Sequence, residues 1–85
     1  MYDTKYVIVD GSAIVFSSAI MHSDMVKSYQ KAESAGFVKF YIQKNEYDEE
    51  IIQAKCYGNS FSLGIESREE DSMIVTRQIC GRDNF

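Results

Sequence analysis

The sequence predicts an α+β fold: a two-layer sandwich of order ββαβββα, with two helices on a mostly antiparallel five-stranded sheet. Three observations lead there. Short runs of alternating or β-branched residues recur at 5–16, 37–44 and 50–66. Two of them are interrupted by Asp10-Gly11 and Gly58-Asn59, dipeptides that tolerate the positive φ of a tight hairpin turn. Two further stretches, 18–33 and 67–80, carry apolar residues at helical spacing with signals at their ends.

A hairpin closed on Asp10-Gly11 pairs Val9 with Ser12, Ile8 with Ala13 and Val7 with Ile14. Both of its faces are then apolar, so its strands are either covered on two sides or held for another chain. Val7, Val9, Ile14 and Phe16 are the candidate association strands, and a homodimer is the expected assembly.

Ser17 or Ser18 can cap a helix running to about Glu33. Met21, Met25, Tyr29 and Ala32 give its apolar stripe, and Ser34-Ala35-Gly36 provides the stop. Val38, Phe40 and Ile42 then alternate with Lys39, Tyr41 and Gln43 along a strand. The acids of 45–50 read as a solvated loop.

The stretch 50–66 predicts a hairpin about Gly58-Asn59, pairing Cys56 with Phe61, Ala54 with Leu63 and Ile52 with Ile65. These six share one face; its Ala54, Cys56, Phe61 and Leu63, with Val38, Phe40 and Ile42, form the surface on which both helices are expected to pack. Ser67-Arg-Glu-Glu70 has the spacing of a capping box, with Ser67 as N-cap and Glu70 reaching back. The helix that follows is expected to bury Ile74, Val75 and Ile79 and to stop at Gly81, with Met73 and Cys80 at the margin.

Composition bounds the function. Eighty-five residues predict a single domain over 1–85. No apolar run approaches the roughly 18 residues of a membrane span, and the N-terminus lacks the build of a secretory signal, so the expected location is the cytoplasm. A net charge of −4 argues against nucleic acid as a partner. Two cysteines, Cys56 and Cys80, make neither a disulfide framework nor a zinc site, and no cofactor or metal is expected.

No catalytic set is visible. The single histidine, His22, falls at the border of the expected stripe, where a packed or hydrogen-bonded role is the ordinary one. From residue 18 onward, the expected order (helix, three strands, helix) is similar to that of double-stranded RNA-binding domains. Such domains place lysines at the start of the last helix to hold phosphates; here the position reads Ser67-Arg-Glu-Glu-Asp, which repels them. The similarity is one of topology alone.

What remains is surface. Tyr41, Tyr57, Ser60 and Ser62 share the polar sheet face and, with His22, form the candidate ligand or partner surface. The expected function is a non-enzymatic protein-interaction or accessory module that self-associates. The competing expectation is a small-ligand binder taking a metabolite or nucleotide.

Overall fold

A computed structural model describes residues 4–80. β1 (Thr4–Val9) and β2 (Ser12–Ser17) form the first hairpin. Asp10 and Gly11 both have positive φ, 54° and 79°, and the rungs are Val9 with Ser12, Ile8 with Ala13 and Val7 with Ile14. Turn and register are those expected, because a two-residue loop with positive φ at both positions matches the right-handed twist of its strands.

β3 (Ala32–Lys44) then pairs with β1 along 32–38 and with β4 (Glu50–Tyr57) along 37–44. The sheet is antiparallel in the order β2-β1-β3-β4. β1 is therefore an inner strand, which accounts for its two apolar faces. A small ribbon of β5 (Asn59–Ser60) and β6 (Ile65–Glu66) follows, and then α1 (Glu69–Cys80).

The structure departs from the sequence expectation in two elements. The described chain has one α-helix rather than two, and a four-stranded sheet with a two-stranded ribbon rather than five strands. Residues 18–31 form a loop with a single 3₁₀ turn at His22–Met25, and Met21 and Tyr29 of the expected stripe are exposed. The reason lies in Ser34, Ala35 and Gly36. They do not stop a helix; they are buried mid-strand, where β1 demands a second neighbour. A methyl group at Gly36 would overlap the Tyr57 carbonyl, so only a small residue lets the chain from β4 pass so close. Strand pairing overrides the local helical spacing. With that helix gone, the element order shared with double-stranded RNA-binding domains is gone as well.

The second departure is the hairpin about Gly58-Asn59. β4 pairs instead with β3, setting Val38 opposite Cys56, Phe40 opposite Ala54 and Ile42 opposite Ile52. Gly58 has positive φ but Asn59 does not, so the two-residue turn is not made. The Gly58 carbonyl accepts the Ser67 amide at 3.0 Å and the Ser67 hydroxyl at 2.9 Å, tying the strand exit to the start of α1. Phe61, expected opposite Cys56, is 94% exposed.

Two apolar clusters lie on opposite sides of the sheet. On one, Tyr6, Ile8, Val38, Ala54 and Cys56 pack under Val75 of α1, with Ile74 beside them. Ile79 and Met73, by contrast, are exposed. On the other, Val7, Val9, Phe16 and Ala35 are covered by Val26, Leu63 and Ile65 from the loop and the small ribbon. Three of the four candidate association residues, Val7, Val9 and Phe16, are thus buried within the chain, and Ile14 packs against them. The surplus apolar surface inferred for the first hairpin is used internally.

α1 also reaches both edges of the sheet. The Ser72 hydroxyl accepts the Cys56 amide at 2.8 Å, and the Thr76 hydroxyl accepts the Ala54 amide at 3.0 Å, on the β4 edge. On the β2 edge the Gln78 side-chain amide clamps Ala13, accepting its N–H and donating to its carbonyl. Each contact satisfies a strand-edge backbone group that would otherwise invite another strand.

Candidate functional site

The most strongly perturbed groups lie where the start of α1 meets the sheet. Asp71 is fully buried. Its carboxylate accepts the Tyr6 hydroxyl at 2.5 Å, the Arg68 amide at 2.9 Å and Arg68 Nε at 3.1 Å. Arg68 is thereby the N-cap residue and Asp71 the third helical residue reaching back to its amide. The box expected from Ser67 and Glu70 is displaced by one residue, because Asp71 faces the Tyr6 hydroxyl while Glu70 is exposed. Arg68 fans further to Glu70 at 3.5 Å and to Glu33 at 3.7 Å, and Glu33 accepts the Gly11 amide at 2.8 Å. One network links the first turn, β1 and the helix.

Burial by itself would raise Asp71. The Tyr6 hydroxyl, the Arg68 amide, Ser34 and the Arg68 side chain outweigh it and hold the carboxyl below its ordinary value. Tyr6 is pushed well above the usual phenol range, first by burial and then by its bond to Asp71. Burial likewise pushes the Cys56 thiol up to about 11, against the opposing pull of Ser72. A thiol held protonated inside a core is no nucleophile. The arrangement locks α1 onto β1. Sequence reasoning missed this hub, since an arginine N-cap carries no recognisable signal and the Tyr6 partner lies 65 residues away.

Among the described residues, two concavities flank the sheet. A groove of about 670 Å³ runs along the β4 edge beside α1, lined by Tyr41, Gln53, Lys55, Met73, Thr76 and Arg77 among others. A smaller one of about 210 Å³ is lined by Lys5, His22, Phe37, Asn59, Phe61 and Ser62 among others.

The five candidate surface residues divide between these places. Tyr41 lines the large groove. His22 is buried, donates from Nε2 to the Gly36 carbonyl at 2.9 Å, and meets the rings of Phe16 and Phe37 edge-on. It wedges the 3₁₀ turn against the sheet. Tyr57 stacks on Phe37 and lies under the Lys39 ammonium at 5.2 Å. Ser60 is buried and accepts the Leu63 amide, while Ser62 accepts the Ser23 amide at 3.1 Å. His22 and Tyr57 therefore meet at Phe37 and Ser62 lines the same groove, while Ser60 braces its own turn through Leu63. Tyr41 does not join them.

The clearest surface feature is the outer part of β3 and β4. β1 accompanies β3 only to Val38, so beyond it the described sheet is a two-stranded ribbon. Phe40, Ile42 and Ile52 continue the face that α1 covers further in, yet are 40%, 64% and 44% exposed. Tyr41 and Ile51, on the reverse, are exposed too. At the ribbon's end Asn45 organises a tight loop, its side-chain oxygen accepting the amides of Tyr47 and Glu49. That loop carries Glu46, Asp48 and Glu49, with Glu50 opening β4 next to it and Lys44 bridged to Asp48 at 3.2 Å. At the inner end Lys39 stands directly opposite Lys55.

Fold and site together define a small α+β domain with an inward-turned polar hub and an exposed apolar ribbon. Among the described residues, no helix is long and apolar enough to cross a membrane. No protein-family model matches the chain, and the comparisons with curated proteins and with solved structures found no match.

Proposed function

We propose that this chain is a non-enzymatic protein-interaction module that works through self-association. The observation that carries the reading is the exposed apolar ribbon of Phe40, Ile42 and Ile52, reinforced on its reverse by Tyr41 and Ile51. Isolated two-stranded ribbons are marginally stable in water, and contiguous apolar surface of this kind marks contact sites. The buried chemistry supports it too, since Tyr6, Cys56 and Asp71 are occupied in holding the helix to the sheet. Sedimentation equilibrium over a wide concentration range tests this reading. The expected result is a reversible dimer; a monomer at every concentration counts against it.

The second reading is a small-ligand binder, and the groove beside α1 favours it, with Tyr41, Lys55 and Arg77 at its walls. Amide-shift mapping with metabolite and nucleotide mixtures separates the two. Shifts confined to this groove at micromolar ligand support the binder, and silence there removes it.

A further inference from the structure

We propose that the groove between α1 and the β4 edge binds a small organic anion, its phosphate or carboxylate held by Lys55, Arg77 and the hydroxyls of Ser72 and Thr76. This rests on the small-ligand reading of the same groove and names the class of ligand it takes.

The groove follows a strand edge, where side chains from both faces of the sheet flank one row of backbone groups. Gln53 and Lys55 come from the face turned away from α1, and Ser72, Thr76 and Arg77 from the helix; all of them line one space of about 670 Å³. That volume lies within the roughly 300–1,000 Å³ typical of small-molecule sites. The Lys55 charge is felt across the edge. Burial pushes the Cys56 thiol up to about 11, and Ser72 and Lys55 are among the groups pulling it back, although Cys56 packs beneath the helix.

The polar groups of the groove are rich in donors. The Ser72 and Thr76 hydroxyls each accept a strand amide, from Cys56 at 2.8 Å and from Ala54 at 3.0 Å. Among the described residues neither hydroxyl proton has an acceptor of its own. A hydroxyl that accepts one hydrogen bond donates the next more strongly, and residues four apart lie on the same face of a helix.

Lys55 and Arg77 have no ion-pair partner among the described residues. Lys39 stands directly opposite Lys55 with the same sign, a pairing that a bound anion relieves. Arg68 also lines the groove, but Asp71, Glu70 and Glu33 occupy its guanidinium. The acid on the wall, Glu69, lies two helical turns before Arg77, roughly 12 Å along the axis. An anion at the Arg77 end therefore meets convergent donors with the carboxylate well removed. Tyr41 and Met73, 42% and 57% exposed, offer apolar surface to the organic part of the ligand.

The test is amide-shift mapping of the full chain with phenyl phosphate, benzoate and the neutral benzyl alcohol, alongside a variant carrying Lys55→Gln and Arg77→Gln. Both positions are exposed, and far-UV circular dichroism checks that the variant is folded. Saturable shifts at Ser72, Met73 and Thr76 are expected with at least one of the two anions. The variant is expected to bind it about tenfold more weakly or worse. Raising salt from roughly 0.05 M to roughly 0.5 M should weaken wild-type binding several-fold. The tighter of the two anions identifies the group as phosphate or carboxylate. Benzyl alcohol binding as tightly as either anion, a folded variant with unchanged affinity, or wild-type binding indifferent to salt overturns the anion site while leaving a ligand groove standing. A groove silent to all three probes overturns the anion site as well. Silence to the metabolite and nucleotide mixtures in addition removes the small-ligand reading with it.

Discussion

The inner and outer halves of the β3–β4 ribbon are built alike and end differently. Both alternate apolar and polar residues, and both set apolar pairs across the strands. Val38 and Cys56 on the inner half are buried beneath α1, whereas Ile42 and Ile52, on the same face four residues further out, are exposed. Strand alternation assigns a side chain to a face; it does not say whether anything covers that face. The cover comes from α1, twelve residues long and anchored at Asp71, Ser72, Thr76 and Gln78, all toward the inner part of the sheet.

Breaking the inner half should cost most. Gly36→Val drives a branched side chain into the Tyr57 backbone, and a loss of about 3 kcal/mol or more is expected in urea unfolding. Asp71→Ala leaves the buried Tyr6 hydroxyl without its acceptor and releases the helix N-terminus. The expected loss is about 3 kcal/mol, with Tyr6→Phe nearer 2.

A same-face pair sharpens the contrast further. Val38→Ala should cost about 2 kcal/mol, and Ile42→Ala less than about 0.5 at monomer concentrations, since one is buried and the other exposed. Equal losses at the two sites would erase the distinction between the halves.

The smallest effect is in pH. Asp71 is held below its ordinary value of 3.8, so its contribution is complete above that pH and is lost as pH falls through the folded value. The wild type should lose stability in acid more steeply than Asp71→Asn, as thermal melts between pH 6 and pH 2 would show. Cys56 runs the other way. Raised to about 11 from 9.0, it contributes fully below pH 9 and loses that contribution as pH rises toward 11. Cys56→Ala should blunt the alkaline decline.

Features set by neighbours in sequence were legible there. Asp10-Gly11 alone determines the first turn and its register, and the acidic start of α1 announces the helix to within a residue. The burial of Val38, Ala54 and Cys56 on one face also follows from alternation. The loop at 18–31 was not legible, because Met21, Met25, Tyr29 and Ala32 have helical spacing. What decides against a helix is the need of β1 for a second strand, a demand arising elsewhere in the chain. The same holds for Gly58-Asn59, a good turn dipeptide denied its turn because β4 is already paired with β3. Of the candidate surface, Tyr41 is exposed as expected, while His22 and Ser60 are buried joints. A histidine or serine in a sequence does not reveal whether a carbonyl or an amide awaits it.

The clamp that α1 places on both sheet edges has a bearing on how the protein is made. Translation delivers all six strands before it delivers Ser72, Thr76 and Gln78. Until the helix emerges, the β4 and β2 margins present unmatched amides and carbonyls at Cys56, Ala54 and Ala13, in a chain already able to pair its strands. A nascent or prematurely terminated chain is thus at its stickiest just when its sheet is nearly complete. The final helix acts as a molecular doorstop, and its late arrival fixes the interval during which chaperones have something to hold.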